Sequence, residues 1–318
     1  MTTRLRPCTD PARWDAARAA SGRAPIPFHD LTWLRSAAAM TATTLHPMVV
    51  ERSGEPIGIL PLLCRRIGPL GLVSWSPTPY VGPVLAAADL AEGLELATRW
   101  SFRHGVGVQR YGFSPVESPS EEVLREYGYT VSHERTYLLD LGVGVDALWA
   151  GTSAQCRKKV RRARARGIEV HPVRDTGSLG RAVRAAFASR GRRDGLRGVF
   201  PPRYDDLTAG PAAVHLAEAR DVDGRVHAVL ATVCLDGYAV TWAGGVLPEH
   251  RDSPAGVLLY WDAIAWACGR GAHTLDLLDL LGVPDEGIDR FKRQFGGTSH
   301  PVTVAERALP GLRMLRPG

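Results

Sequence analysis

Lysine is scarce in this chain: of 39 basic residues, only Lys158, Lys159 and Lys292 are lysine. Cysteine is equally uninformative as a scaffold. The five (Cys8, Cys64, Cys156, Cys234, Cys268) are scattered, odd in number and never spaced as CxxC. That excludes a disulfide framework and a zinc ribbon, and it predicts reduced thiols in a cytoplasmic protein. No apolar run reaches spanning length, since Ala228 to Leu247 is broken by Asp236-Gly237. Met1 to Asp10 is polar and has no secretory core, so no integral membrane segment is expected. Phosphate loop GxxxxGK[ST], dinucleotide fingerprint GxGxxG, serine elbow GxSxG and zinc motif HExxH are all missing. The ten histidines are dispersed without ligand spacing, so no metal is expected. An enzyme built this way brings neither a nucleotide-hydrolysing site nor a resident cofactor, and its substrate must arrive already activated.

What is present is charge of one sign in one place. Arg157 to Arg166 holds seven cations and no acid, and without it the balance falls from 39 basic against 33 acidic to 32 against 33. Thr152-Ser153-Ala154-Gln155 has the capping-box spacing ahead of it, and Gly167 suits a left-handed C-cap behind it. At 100° per residue, Arg157, Arg161 and Arg164 are expected on one face, with Cys156, Val160 and Ala163 as a narrow apolar stripe on another. A solvated helix normally mixes charge signs, because like charges one turn apart repel. Arg157, Lys158, Lys159, Arg161, Arg162 and Arg164 are therefore candidates to bind phosphate, on RNA or on a small substrate.

Length and composition, 318 residues with 45% apolar and 23% charged, suit two domains with real cores. The pattern predicts helices over Pro11–Ala20, Asp30–Met40 and Leu90–Gly105, with Asp30 as a cap, and a strand–turn–strand unit around Ser53-Gly54. The second half repeats the order. After the basic helix come a strand near Ile168–Val173 and a helix over Leu179–Arg190. Strands turning at Asp223-Gly224 and Asp236-Gly237 follow, then a helix whose first turn holds Pro254, a strand over Thr274–Leu278, a helix over Ile288–Gln294 and a strand over His300–Val304. Two related α/β halves follow, each a mixed sheet flanked by helices. The expected domains are 1–145 and 146–318, with the last residues packing back on the first.

A second conspicuous segment is Gly287-Ile288-Asp289-Arg290-Phe291-Lys292-Arg293-Gln294-Phe295-Gly296-Gly297. On its own it is an amphipathic helix with Phe291 and Phe295 on the core side, but a lysine persisting against so much arginine suggests a job for a compact ammonium. Together, the Thr152–Val170 and Phe291–Gly297 segments resemble the Fem-type branch of the GNAT superfamily. Phe28-His29-Asp30-Leu31-Thr32-Trp33 and Pro79-Tyr80-Val81-Gly82-Pro83 extend the resemblance over most of the chain. It implies two tandem GNAT-like domains and tRNA-dependent aminoacyl transfer to an amine of a peptidoglycan precursor or natural-product intermediate. Aminoacyl-tRNA would be co-substrate and partner, with no separate cofactor. It assigns Lys292 and Phe291 to the reacting end and the basic helix to tRNA. Arg35, Arg193, Arg197 and Tyr204 are the candidates for holding the small-molecule or peptide acceptor, and Asp276 and Asp279 for accepting its proton. No coiled-coil insertion of the kind some cell-wall members carry is present.

The rival reading is an acyl-CoA N-acyltransferase using acetyl-CoA or another acyl-CoA. That chemistry uses an (Arg/Gln)xxGx(Gly/Ala) loop at a helix N-terminus, where free N–H groups hold pyrophosphate. Here the stretch is Arg251-Asp252-Ser253-Pro254-Ala255-Gly256, in which proline replaces the first glycine and removes a donor. A third reading is a non-catalytic RNA- or membrane-surface-binding protein; the thin apolar stripe argues against insertion into lipid. A monomer is expected.

Overall fold

Capping residues set where the elements begin. The computed structural model describes residues 2–41, 43–66, 72–74, 79–173, 212–278 and 286–308. These divide into two units, Met1–Glu134 with the stretch from Pro301 onward, and Arg135–His300. The division falls ahead of residue 145, inside β7 (Thr130–Asp140).

In the first unit β1 (Thr3–Pro7) leads to α1 (Pro11–Ala20), whose N-cap Asp10 accepts from the Ala12 N–H. In α2 (Leu31–Thr41) Asp30 takes the Trp33 N–H at 2.7 Å, as its position in the sequence predicts. β2 (Thr44–Arg52) and β3 (Glu55–Arg66) form the expected hairpin. Its turn residues Ser53 and Gly54 lie at φ 53° and 97°, the left-handed geometry that a two-residue hairpin needs. Successive residues of these strands serve opposite faces. Val49, Ile59 and Leu63 pack on Trp14, Leu31 and Leu34, while Val50, Leu60 and Leu62 pack on Leu94 and Ala97 of α3 (Leu90–Arg103). The sheet continues through β4 (Leu72–Ser74) and, in parallel, β6 (Val106–Gly112), with β5 (Val84–Leu85) set on β3. α4 (Glu121–Glu126) packs beside α3. The end of β13 (Thr298–Ala308) pairs antiparallel with β6.

The second unit repeats the plan. After β7 come α5 (Val145–Gly151), α6 (Ala154–Ala165) and β8 (Glu169–Pro172). β9 (Ala213–Arg220), β10 (Val226–Leu235) and β11 (Tyr238–Val246) form an antiparallel meander, and Leu235 pairs with Tyr238 across the Asp236-Gly237 turn. α7 (Ala255–Gly269) crosses over to β12 (Thr274–Asp276), which pairs parallel with β11 and antiparallel with β7. Pro254 is the residue before α7, not its first, because its backbone has already left the helical region. α7 buries side chains all round its circumference: the sheet covers one flank and α5 and α6 the other. α8 (Glu286–Arg293) completes the unit. The helix expected over Leu179–Arg190 lies outside the described residues.

Candidate active site

The basic segment forms α6, and its stripe is as read: Cys156, Val160 and Ala163 are fully buried. Burial lifts the Cys156 thiol to about 11, so it is inert packing. The capping box is corrected in detail. Ser153, not Thr152, is the N-cap and takes the Cys156 N–H at 3.1 Å, while the Thr152 hydroxyl turns back to the Trp149 carbonyl. Gly167 ends the helix at φ 68°, with Ile168 N–H reaching Ala163 O.

The expected cation face also needs correcting. Arg157 is half-buried, and its guanidinium donates to the Trp149, Ala150 and Thr152 carbonyls at the end of α5. It is a cap for that helix, since cations favour a helix C-terminus. Lys158, Arg161, Arg162, Arg164 and Arg166 are exposed and Lys159 is half-buried, and among the described residues none of these six forms an ion pair. The outward row is therefore Lys158–Arg161–Arg162, opposite the buried stripe.

Lys292 is 4% exposed, and its Nζ donates to the Leu278 carbonyl just past β12. Phe291 does not stand free beside it. Its ring meets Tyr260 edge-on at 4.9 Å and Phe295 at 5.3 Å, which anchors α8 to α7. Leu278 sits at φ 45°, a left-handed conformation that costs a branched residue energy and needs surrounding contacts to persist. Those contacts hold the residue from both sides: Lys292 donates to its carbonyl, and Asp276 Oδ1 accepts the Leu278 N–H at 2.8 Å. Asp276 is fully buried and also accepts from the Thr136 and Tyr238 hydroxyls. Burial and the Asp276 charge push the Tyr238 phenol far up, so it stays a donor. Asp276 thus holds the strand end and is closed to an incoming amine. Tyr238 and Thr136 carry no motif; only the parallel pairing of β11 with β12 brings Tyr238 to Asp276.

The two segments singled out in the sequence meet directly. Ser153, the cap of α6, donates its backbone N–H to the Gln294 carbonyl at the end of α8, 2.9 Å away. The remaining candidates stand apart from this contact. Arg35 is exposed on α2 and donates to the Thr9 carbonyl at 2.6 Å. Arg193, Arg197, Tyr204 and Asp279 lie outside the described residues. In the first unit Phe28, Trp33 and Tyr80 form an edge-on aromatic cluster. His29 there points Nε2 at the Tyr80 carbonyl, 3.0 Å away, beside a cavity of about 30 Å³ that Arg23, Gly82 and Glu117 also line. Among the described residues no group able to hold a metal was formed by three or more His, Cys, Asp or Glu.

The crystal structure of FemX shares this architecture over 100% of both chains, with a TM-score of 0.72 at 15% identity. The chain has the same fold as FemX. A tandem GNAT protein from the clavulanic acid biosynthesis pathway matches 96% of this chain and 98% of its own, with TM-score 0.60 and 15% identity. L-PGS from Bacillus licheniformis matches over 96% and 94%, with TM-score 0.59 and 11% identity. Residues 150–293 match the acetyltransferase (GNAT) domain family, a span that contains both α6 and Lys292. No curated protein sequence matches the chain. No described helix is long and apolar enough to cross a membrane.

Proposed function

We propose that this GNAT-type acyltransferase moves an amino acid from aminoacyl-tRNA to an amine, forming an amide. The observation that carries the reading is the Ser153–Gln294 contact, because it puts an unpaired row of cations and a buried lysine on one scaffold. The ester of aminoacyl-tRNA is already activated, so aminolysis runs downhill without a nucleotide site. The protein has to orient the amine and stabilise a tetrahedral oxyanion. Lys292 is the donor for that oxyanion, released from Leu278 or shared with it. Lys158, Arg161 and Arg162 are the contacts for the acceptor-stem phosphates, each phosphate contact adding to the salt dependence.

The acyl-CoA reading is favoured by one finding, the acetyltransferase-domain match, and opposed by Pro254, whose missing N–H weakens the helix start as a pyrophosphate site. Single-turnover transfer from a mixed pool of labelled aminoacyl-tRNAs separates the two, with a cell extract supplying acceptors and acetyl-CoA run in parallel. Enzyme-dependent label in an amide supports the tRNA reading. Label staying on tRNA while acetyl-CoA is consumed replaces it with the CoA reading.

A further inference from the structure

Three side chains at the N-terminal end of α7 form a hydrogen-bonded chain that includes neither Lys292 nor Asp276. His227, near the start of β10, has Nδ1 at 2.8 Å from Ser253 Oγ and Nε2 at 3.2 Å from Asp221 Oδ2. A carboxylate only accepts, so Nε2 carries the ring proton and Nδ1 offers its lone pair to the Ser253 hydroxyl. Asp221 is fixed by the tight turn before β10. Its Oδ1 accepts the Arg225 and Asp223 N–H groups at 2.9 and 3.0 Å. The Arg225 amide foremost, with His227 and the Asp223 amide, holds its carboxyl below the usual range. His250 lies flat on the His227 ring, centroids 3.8 Å apart and planes within 4°, which stops the imidazole turning. The Ser253 N–H reaches the His250 carbonyl at 2.8 Å and locks the segment to that ring.

The plain alternative is structural: Ser253 Oγ accepts the Ala255 N–H at 3.3 Å and helps cap α7. Capping uses a lone pair of the hydroxyl and leaves its proton uncommitted, and here that proton points at a base held by a third group. Ser253 is half-buried rather than enclosed. Gly256, in the first turn of α7, carries an N–H with no acceptor inside the helix, and the Val246 side chain packs close to its Cα. An N–H three residues on from the nucleophile is a candidate donor to the carbonyl oxygen of an acyl group attacked by Ser253.

We propose that Ser253 is a nucleophile toward activated oxygen esters of small acyl groups, with His227 as its base and Asp221 orienting the ring. The Ser253 Oγ–carbon bond forms as the ester carbon–oxygen bond breaks. The hydroxyl proton passes to His227 Nδ1 and then to the departing oxygen. Water, activated the same way, returns free Ser253 and the carboxylic acid. The site lies within the second unit and stands whether or not the chain uses tRNA.

The test is p-nitrophenyl acetate with the full chain at pH 7.5, reading the burst of p-nitrophenolate and locating the acetyl group by peptide mass spectrometry. Acetyl at Ser253, lost in Ser253→Ala and slowed at least about a hundredfold in His227→Gln, supports the proposal. Asp221→Asn is the variant that keeps the fold. Its amide oxygen still accepts from the turn, while its NH₂ group forces the other His227 tautomer and removes the base. Label confined to Lys158 and Lys159, or Ser253 acetylated equally fast in Asp221→Asn, overturns the proposal and leaves Ser253 a helix cap.

Discussion

Acidification should weaken the first unit through His29 in particular. The ring is fully enclosed, and burial lowers its pKa from 6.5 to about 4, with the Tyr80 carbonyl opposing the shift and Arg18 adding to it. A depressed histidine binds its proton in the unfolded chain first. The stability it contributes is therefore complete above pH 6.5 and is lost as the pH falls toward 4. Between pH 7 and pH 5 the ratio of unfolded to folded proton binding changes from ~1.3 to ~30, which costs about 2 kcal/mol. Other histidines titrate in the same window, so the magnitude is read as a difference of differences. His29→Gln keeps a donor for the Tyr80 carbonyl and cannot titrate. Urea-dependent amide exchange of peptides from β2 and β3, corrected for intrinsic rates, reports the first unit alone. Wild type should lose about 2 kcal/mol more than His29→Gln between the two pH values. Equal losses would show that His29 is neutral for another reason, or that water reaches the ring, and the burial argument would fail.

The remaining expectations concern the second unit. Lys158→Ala, Arg161→Ala and Arg162→Ala together should lower the slope of log affinity for tRNA against log salt by about 2 to 3, with folding unchanged. Arg157→Ala should leave that slope nearly intact and destabilise the fold by about 1–2 kcal/mol, because two carbonyls of α5 and that of its C-cap Thr152 lose their donor; urea titration and filter binding measure both. Gly244→Ala should cost about 1–3 kcal/mol, since an added Cβ would meet the Val229 carbonyl oxygen at 2.6 Å and the Leu230 Cα at 3.0 Å, backbone that cannot swing aside; a melting curve with no shift contradicts it. Lys292→Arg should lower single-turnover transfer as far as Lys292→Ala does while tRNA affinity holds. Full activity in the arginine variant would reduce Lys292 to a generic cation.

Much of the architecture was legible because local chemistry and tertiary structure agree. Asp30 caps α2, Ser53-Gly54 and Asp236-Gly237 turn their hairpins, and the Cys156–Val160–Ala163 stripe is the buried one. What failed to read was the direction of long side chains. Arg157 lies near the edge of the exposed arc, where an arginine reaches either solvent or the previous helix, and unfilled carbonyls at the end of α5 decide it. Phe291 shares this problem: its aromatic partner Tyr260 comes from a helix about thirty residues earlier, and periodicity carries no record of it. Asp276 was a candidate to accept the amine's proton, although an Asp at a strand end is more often a cap or turn residue, and here it is structural. Its closure depends on Thr136 and Tyr238, contributed by two other strands.

The one lysine outside the basic helix occupies a position where arginine fits poorly. A guanidinium brings five donors in a fixed fork, and each donor left unmade in a buried place costs about 1–3 kcal/mol. Lys292 presents a compact ammonium to the Leu278 carbonyl, and that carbonyl is aimed by a backbone twist at φ 45°. The twist persists because Asp276 grips the same residue at its N–H, and Asp276 is itself held by hydroxyls from β7 and β11. Three strands and one strained peptide thus converge on where one ammonium sits. A core that needed only to be filled would place an apolar side chain there at lower cost. The arrangement makes sense if the position of the charge matters, which is what stabilising a developing oxyanion requires.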